Sequence, residues 1–252
     1  MEGQFLTHQG LIRDLNEDAG GIYKNEANQS LAIIADGMGG HRAGDVASQM
    51  ATNIVQEKWR TTRAIQMPEQ AERWLHDVLN DVNRLLYDHS LNYEECEGMG
   101  TTIVIAICTD QFVTVAHIGD SRCYLLNENE FTQVTEDHSL VNALIQSGQI
   151  SKDDAQQHPR KNIVLKALGT EENVTPEIQS LAWNQGAKLL LCSDGLTDKV
   201  TNDEIKEWLQ SDEKLAVLGE ELIALANQRG GEDNISLVLM VHASIEKLGD
   251  SL

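Results

Sequence analysis

The stretch LAIIADGMGGHRAG, residues 31–44, constrains the fold of this chain more than any other part of the sequence. Five apolar residues run into Asp36, and three of the next four positions are glycine. Because glycine adopts backbone angles that other residues avoid, this pattern predicts a buried strand that ends in a tight loop. The carboxylate of Asp36 would then be held on a rigid strand end and remain open to solvent. Asp-Gly is also a common hairpin pair, so this stretch alone is equally consistent with a simple turn.

The same pattern, an apolar run that meets an aspartate at a glycine, recurs further along the chain. Asp120 follows the run FVTVAHIG and Asp194 follows KLLLCS, whereas Asp233 precedes the last apolar run, ISLVLMV. In an antiparallel sheet the end of one strand lies beside the start of the next, so these side chains can gather at one edge. The adjacent acids Glu17 and Asp18, near the start of the chain, are expected to join them there.

Six carboxylates without cationic partners in one cleft would repel one another, and hard divalent cations relieve such repulsion. A set of oxygen ligands without a nearby group of cysteines or histidines favours Mg²⁺ or Mn²⁺ and is also compatible with Ca²⁺. Arg13 lies shortly before Glu17 and Asp18, and two ions that share a carboxylate beside an arginine suit in-line attack on phosphorus. For that segment alone, the simpler interpretation is a solvated loop in which Arg13 forms a local ion pair with these acids.

Two neighbouring apolar runs do not alternate with polar residues, which indicates a sheet covered on both faces. These strands are predicted within TTIVIAICT and FVTVAHIG, residues 101–109 and 112–119. Helices with apolar stripes are predicted over residues 45–59, from Pro68 onward, and over residues 202–210 and 213–227. His117, inside the second strand, is predicted to be a core histidine, whereas capping or surface roles are predicted for His138 and His158.

The chain is strongly acidic, with a formal net charge of −21. Such a surface repels nucleic acids and anionic lipids, so we expect neither as a partner. No apolar run is long enough to span a bilayer, and the first residues do not resemble a signal peptide, so no membrane insertion is expected. The four cysteines lack metal-ligand spacing and are expected to be reduced core residues, which favours a cytoplasmic location.

Seven short motifs occur in order over nearly the whole length: RDLNED, ADGMGGH, GMGTT, HIGDSR, EDHS, CSDGL and GGEDN. In this set the chain resembles the metal-dependent protein phosphatases, the type 2C protein serine/threonine phosphatases, and above all their compact bacterial members. The resemblance implies an α+β fold, a four-layer αββα sandwich in which two packed antiparallel β-sheets are flanked by helices. It also implies one catalytic domain over residues 1–245 with a variable flap at about 146–166, and a short tail over residues 246–252.

The resemblance implies two core sites for Mn²⁺ or Mg²⁺ and allows a third ion. Asp36 would bridge the two core ions, and the carbonyl group of Gly37 would be a further ligand. Asp194 and Asp233 would complete the shell of one of these ions.

The remaining site residues are likewise implied by the resemblance. Glu17 and Asp18 would hold the other core ion, partly through water. Asp120, together with Asp194, matches the position of a third ion in bacterial relatives. Arg13 would bind the phosphate of the substrate, and His41 would protonate the departing serine or threonine oxygen.

The implied activity is hydrolysis of phosphoserine and phosphothreonine in proteins by direct attack of a metal-bridging water. Phosphorylated proteins are therefore the expected partners, and a bacterial serine/threonine kinase is expected among them, as the enzyme whose action is reversed. The chain is expected to be a monomer. Because the flap is variable, substrate choice cannot be transferred from relatives.

Three other classes of protein are alternatives to a metal-dependent protein phosphatase. A cysteine-based phosphatase needs a nucleophilic cysteine six residues before an arginine, and none of the four cysteines has one. A two-metal phosphodiesterase or nuclease would use similar carboxylates, but a net charge of −21 without a basic groove argues against it. An acidic cation-binding module without catalysis would not need Arg13 and His41 beside the acids.

Overall fold

The computed structural model describes residues 1–40, 43–151, 154–155 and 158–242. The strands, in chain order, are β1 (Glu2–His8), β2 (Asp18–Lys24), β3 (Ser30–Met38), β4 (Gly100–Thr101), β5 (Ile103–Cys108), β6 (Phe112–Ile118), β7 (Arg122–Asn127), β8 (Glu130–Gln133), β9 (Glu177–Ala182), β10 (Lys188–Cys192) and β11 (Ile235–Val241). The helices are α1 (Ala43–Arg60), α2 (Pro68–Asn92), α3 (Leu140–Gln146), α4 (Asp194–Thr197), α5 (Asn202–Gln210) and α6 (Leu215–Gln228), with a short 3₁₀ turn at Glu94–Cys96.

The strands form two antiparallel sheets. Sheet I has the order β1-β11-β10-β7-β8, and sheet II has the order β2-β3-β5-β6-β9, with β4 paired to the end of β3. Strand β11, the last in the sequence among the described residues, lies inside sheet I between β1 and β10. The connection between β6 and β7 carries the chain from sheet II to sheet I.

Three apolar layers separate four layers of secondary structure. Alternate residues of β5 face opposite ways, so that Ile103 and Ile105 pack beneath α1 and α2, whereas Val104 packs between the two sheets. A third layer joins the outer face of sheet I to α5 and α6, with Leu239 and Leu222 among its members. This arrangement is the αββα sandwich that was expected, and the burial of both faces of β5 and β6 is confirmed.

Local sequence explains where several helices begin. Pro68 occupies the first turn of α2, where its missing N–H group costs nothing. Thr201 and Glu204 form a reciprocal capping box at α5, in which each side chain accepts a hydrogen bond from the backbone N–H of the other residue. Among the described residues, no helix combines the length and apolar character that crossing a lipid bilayer requires.

The structure corrects the sequence-based interpretation at β3 and β9. Strand β3 continues past Asp36 to Met38 and pairs there with β4, so the alternative of a simple Asp-Gly hairpin turn is wrong. Asp36 is half-buried within the strand and not placed beyond its end. Strand β9 was not predicted, because the sequence EIQSLA is half polar; it forms by pairing along the edge of β6. The tail, residues 246–252, and flap residues 152–153 and 156–157 lie outside the described part of the chain.

Candidate active site

The acids at positions 17, 18 and 36 meet because of the pairing between β2 and β3. In this ladder Asp18 is the direct partner of Asp36, at the point where β2 begins. The backbone carbonyl of Glu17 accepts hydrogen bonds from the N–H of Gly37, at 3.1 Å, and from the hydroxyl of Ser48, at 2.6 Å. Sheet II and α1 together therefore hold three of the predicted carboxylates in place.

Sheet I contributes Asp194 and Asp233 to the same place. Asp194 begins α4 directly behind β10, and Asp233 lies just before β11, the neighbouring strand. Ser193 joins the two sheets, because its hydroxyl donates to Asp18 Oδ2 at 2.8 Å and accepts from the N–H of Ser236 at 3.0 Å. The expected gathering of carboxylates at one edge is therefore present, and it lies where the two sheets meet.

Two glycines allow the backbone segments to approach closely. A Cβ atom on Gly37 would lie 2.0 Å from the carbonyl oxygen of Gly44, and one on Gly195 would lie 2.0 Å from that of Asn234. Any larger residue at either position would push apart the strand ends that carry the acids. The glycines of the ADG and SDG motifs are therefore needed for close packing around the site.

Burial and mutual repulsion raise the pKa values of these carboxyl groups. Burial raises the pKa of Asp36 and of Asp194 well above the ordinary range, and neighbouring aspartates raise both further. Burial raises the pKa of Asp18 to about 6, although hydrogen bonds from Ser236 and Ser193 oppose the shift. Burial, with Asp137, raises the pKa of Asp120 to about 6. The site therefore disfavours its own negative charge unless a cation is bound.

Two buried carboxylate oxygens fit a metal ion directly. Among the described residues, Glu17 Oε1 and Asp18 Oδ1 are buried and have no hydrogen-bond partner. Leaving a buried carboxylate oxygen unpaired is costly, and a hard cation removes that cost. The donors gathered here are carboxylate and backbone carbonyl oxygens, the ligands preferred by Mg²⁺ and Mn²⁺.

Arg13 reaches the acids from the loop between β1 and β2. Its Nη2 atom lies 2.6 Å from Asp233 Oδ2, so its ion pair is with an acid 220 residues away and not with the local Glu17 or Asp18. Nearly half of the Arg13 side chain remains exposed, at 47%, so it is accessible to a ligand.

Sequence-based reasoning missed Asn234, which fixes the loop that carries Arg13. Its amide nitrogen donates to the carbonyl groups of Gln9, at 2.8 Å, and Leu15, at 2.9 Å, and its Oδ1 accepts from the N–H of Glu17 at 2.8 Å. The only signal in the sequence is its position directly after Asp233 in the motif GGEDN.

Asp120 and Asp194 line a cavity of about 750 Å³ that extends toward the flap. Asp198, another residue missed from the sequence, also lines it and pairs with Lys161 of the flap at 2.5 Å. Asp120 itself is only 7% exposed and follows Gly119 at the crossing between the two sheets. His41 lies outside the described residues.

The predictions for His117 and His138 have different outcomes. His117 is buried and its Nε2 bonds to the carbonyl of Glu136 at 2.8 Å, so the prediction of a core histidine is confirmed. The surface or capping role predicted for His138 is wrong, since this residue is 8% exposed and the adjacent Ser139 caps α3. All four cysteines are buried and free, and burial raises the pKa of Cys108 and of Cys192 to about 12, which opposes a thiolate nucleophile.

Lowering the pH is expected to stabilise the metal-free protein. A carboxyl group whose pKa is higher in the folded state binds its proton more tightly there, so its contribution to stability is lost as the pH rises through the folded pKa. For Asp18 and Asp120 this stabilisation is lost as the pH rises from the ordinary carboxyl pKa to about 6. For Asp36 and Asp194 the loss continues to higher pH. His117, whose pKa is lowered by burial, works in the opposite direction but is a single group.

In the presence of a chelator, the melting temperature should therefore rise by several degrees between about pH 8 and about pH 5.5. Saturating Mn²⁺ should remove most of this rise, because the ions then neutralise the same charges. A metal-free melting temperature that falls over this interval would show that the carboxylates do not repel one another as described.

Comparison with known proteins gives matches over nearly the whole chain. The sequence profile of the family described as Protein phosphatase 2C matches residues 8–239. A serine/threonine phosphatase, Stp, of Listeria monocytogenes is 45% identical over 251 residues, which cover 100% of both chains. The crystal structure of the serine/threonine phosphatase Stp1 from Staphylococcus aureus superimposes with a TM-score of 0.92 at 40% identity, covering 96% of this chain and 95% of that one.

A further solved structure contains metal ions. The catalytic domain of the serine/threonine protein phosphatase PstP, in complex with two manganese ions, matches with a TM-score of 0.84 at 31% identity. The match covers 96% of this chain and 98% of the other.

Proposed function

The chain belongs to the protein phosphatase 2C family and is a metal-dependent protein serine/threonine phosphatase, and from this we propose how its own residues share the reaction. The observation that carries the proposal is the convergence of carboxylates from both sheets around two buried, unpaired carboxylate oxygens. A two-metal nuclease and a cation-binding module without catalysis are not favoured by these relatives.

We assign the binding of the core ions to the residues at the junction of the sheets. Asp36 would contact both ions, with the Gly37 carbonyl beside it, and Asp194 and Asp233 would complete one site. Glu17 and Asp18 would hold the other, which agrees with the unpaired oxygen on each of them. When bound, two Mn²⁺ or Mg²⁺ ions supply an acidified water and neutralise charge on the phosphate.

Asp120 would hold a third, weaker ion together with Asp194. Both residues line the same cavity, and the two carboxylates repel each other across it. The single catalytic domain proposed for residues 1–245 carries all of these ligands.

Substrate binding and protonation are assigned to two basic residues. Arg13 would bind two oxygens of the phosphate through its planar guanidinium, an arrangement that lysine cannot reproduce. His41 would donate the proton that the departing serine or threonine oxygen needs. Its role is proposed from the resemblance alone.

The proposal is tested by release of phosphate from a phosphothreonine peptide. We expect activity that requires Mn²⁺ or Mg²⁺, disappears with a chelator, and survives alkylation of thiols, since all four cysteines are buried. Under the same conditions a phosphodiester such as bis(p-nitrophenyl) phosphate should be hydrolysed far more slowly. Preference for the diester, or activity without metal, would contradict the assignment.

Replacement of Arg13 by alanine should raise KM for the phosphopeptide and weaken inhibition by free phosphate. A lost pair of charge-assisted hydrogen bonds is worth about 1.5–3 kcal/mol, so KM and the inhibition constant should each rise by about tenfold or more. Arg13→Lys should recover only part of the loss, because it offers one point charge.

Arg84→Ala is a matched control, since Arg84 pairs with Asp81 on the exposed side of α2. It removes a surface ion pair without touching the site. Unchanged phosphate inhibition in Arg13→Ala would mean that the arginine serves only as the ion-pair partner of Asp233.

In the cell, we propose that the enzyme acts in the cytoplasm on phosphoproteins produced by a serine/threonine kinase, and that the kinase itself is among its substrates. The reduced state of four buried cysteines supports a cytoplasmic location, and we expect a monomer. Comparing phosphoproteomes of a deletion strain and wild type should reveal serine and threonine sites that accumulate phosphate, including sites on the kinase. An unchanged kinase phosphorylation state would exclude that partner.

A further inference from the structure

His138 and Gly119 bind each other through two reciprocal hydrogen bonds. The backbone N–H of His138 donates to the carbonyl of Gly119 at 2.9 Å, and the N–H of Gly119 donates to His138 Nδ1 at 3.1 Å. Gly119 has a φ of +108°, and any side chain there would collide with Thr102, so the turn has a single demanding geometry. The next residue in the chain is Asp120, so the position of its carboxylate depends on this turn.

The other nitrogen of the same ring is also bonded. His138 Nε2 lies 2.8 Å from Glu177 Oε1 on β9. Because Nδ1 accepts the Gly119 N–H, the proton of a neutral ring must be on Nε2, where it is donated to Glu177. The carboxylate therefore favours the one tautomer that can hold the turn.

His117, His138 and Glu177 are close enough to one another to suggest a metal site. Their possible ligand atoms lie within 4.8 Å of one another. However, both nitrogens of His138 are already bonded, and the rings of His117 and His138 are stacked 4.7 Å apart at 17°, so their in-plane lone pairs run nearly parallel instead of converging. The geometry suits a hydrogen-bonded support better than a coordination shell.

We propose that His138, with its tautomer set by Glu177, is a positioning residue that holds the Gly119–Asp120 turn and thereby sets the affinity of the ion bound by Asp120. The inference rests on the role proposed above for Asp120. The hydrogen bonds of His138 join it to Gly119, Leu165 and Glu177, none of which is a proposed metal ligand, so it acts through the backbone N–H of Gly119. Removal of such a supporting partner typically costs 10–100-fold in metal affinity.

Two substitutions of His138 test the hydrogen bonds of its two ring nitrogens one at a time. In His138→Asn, the amide oxygen can occupy the place of Nδ1 and accept from Gly119. In His138→Gln, the longer amide can occupy the place of Nε2 and reach Glu177, but the acceptor for Gly119 is lost. We expect His138→Gln to weaken the weakest Mn²⁺ binding step by about 10–100-fold and His138→Asn by only a few-fold, as measured by calorimetric titration of the metal-free full chain.

Glu177→Ala leaves the buried His138 ring in place. It also removes little packing, because the Glu177 side chain is 52% exposed. It should weaken the same binding step by a few-fold, and Glu177→Gln, which still offers an acceptor oxygen, should restore it. His117→Gln is the matched control: it can keep the bond to Glu136 but does not contact Gly119, and it should leave Mn²⁺ binding unchanged. Melting temperatures of the metal-free variants separate loss of packing from loss of metal affinity.

Equal Mn²⁺ affinity in His138→Asn and His138→Gln would overturn the inference, because the Nδ1 acceptor would then have no role. Zn²⁺ binding to the wild type that disappears equally in His117→Gln and both His138 variants would overturn it in favour of a metal site. Failure of the proposed function looks different, since the wild type itself would then bind no Mn²⁺ or release no phosphate.

Discussion

Asp194→Asn is expected to leave about one thousandth of the wild-type phosphatase activity or less, and at the same time to raise the melting temperature of the metal-free protein. A metal ion contributes several kcal/mol to stabilising charge in a transition state, and each 1.36 kcal/mol is tenfold in rate. Asparagine keeps one oxygen but loses the charge that draws a divalent ion into the site. Activity and stability should therefore move in opposite directions.

The gain in stability follows from the surroundings of Asp194. Burial opposes its negative charge, and Asp120 and Asp233 oppose it further, so its pKa is raised well above the ordinary range. A neutral amide of nearly the same shape removes this repulsion when no ion is present. Melting curves with chelator and with saturating Mn²⁺ measure both effects. Without metal, the variant should have a higher melting temperature than the wild type, and Mn²⁺ should raise that temperature by fewer degrees.

Asp88→Asn makes the same chemical change at an exposed position of α2 and should alter neither quantity. If Asp194→Asn kept near wild-type turnover at low Mn²⁺, the core-site assignment would be wrong. If it lost activity and also melted lower without metal, Asp194 would have to be regarded as a structural carboxylate.

His41→Ala is expected to slow hydrolysis of a phosphothreonine peptide by about 10²–10⁴-fold, the usual contribution of a general acid. The departing alkoxide of serine or threonine is strongly basic and needs a proton in the transition state. The leaving group of p-nitrophenyl phosphate has a pKa of roughly 7 and can depart unprotonated, so its hydrolysis should fall much less. The ratio of the two losses therefore measures proton donation.

The comparison has an internal control, because both substrates use the same metal site. If both rates fell by the same factor, His41 would serve the metal ions or the glycine-rich loop instead of the leaving group. A steep pH dependence of wild-type peptide hydrolysis that is absent from the variant would further support a titrating acid.

The sequence predicted those parts of the fold that depend on local patterns. Uninterrupted apolar runs at β5 and β6 predicted burial on both faces, and Pro68 predicted the start of α2. Strand β9 could not be predicted from the sequence, because its residues are half exposed and show no clear strand pattern. It forms because it pairs along the edge of β6.

Asp36, Asp120 and Asp194 were predictable because each follows an apolar run and is next to a glycine, a local signal. Their supports were not, since Asn234 contacts Glu17 across 217 positions and His138 contacts Glu177 across 39. For the same reason the ion pair of Arg13 could not be assigned to Asp233. Such contacts depend on how two sheets stack, and no single segment carries that information.

The place of β11 inside sheet I determines when this sheet can be completed during protein synthesis. β1 precedes the other strands in the sequence, yet its partner strand begins only at Ile235, two residues after Asp233. A growing chain on the ribosome therefore holds β1 and β10 without the strand that belongs between them, and pairings of such long range are slow to form. Neither the sheet nor the phosphatase can be completed until translation has passed residue 241, so a nascent chain remains inactive toward the phosphoproteins around it.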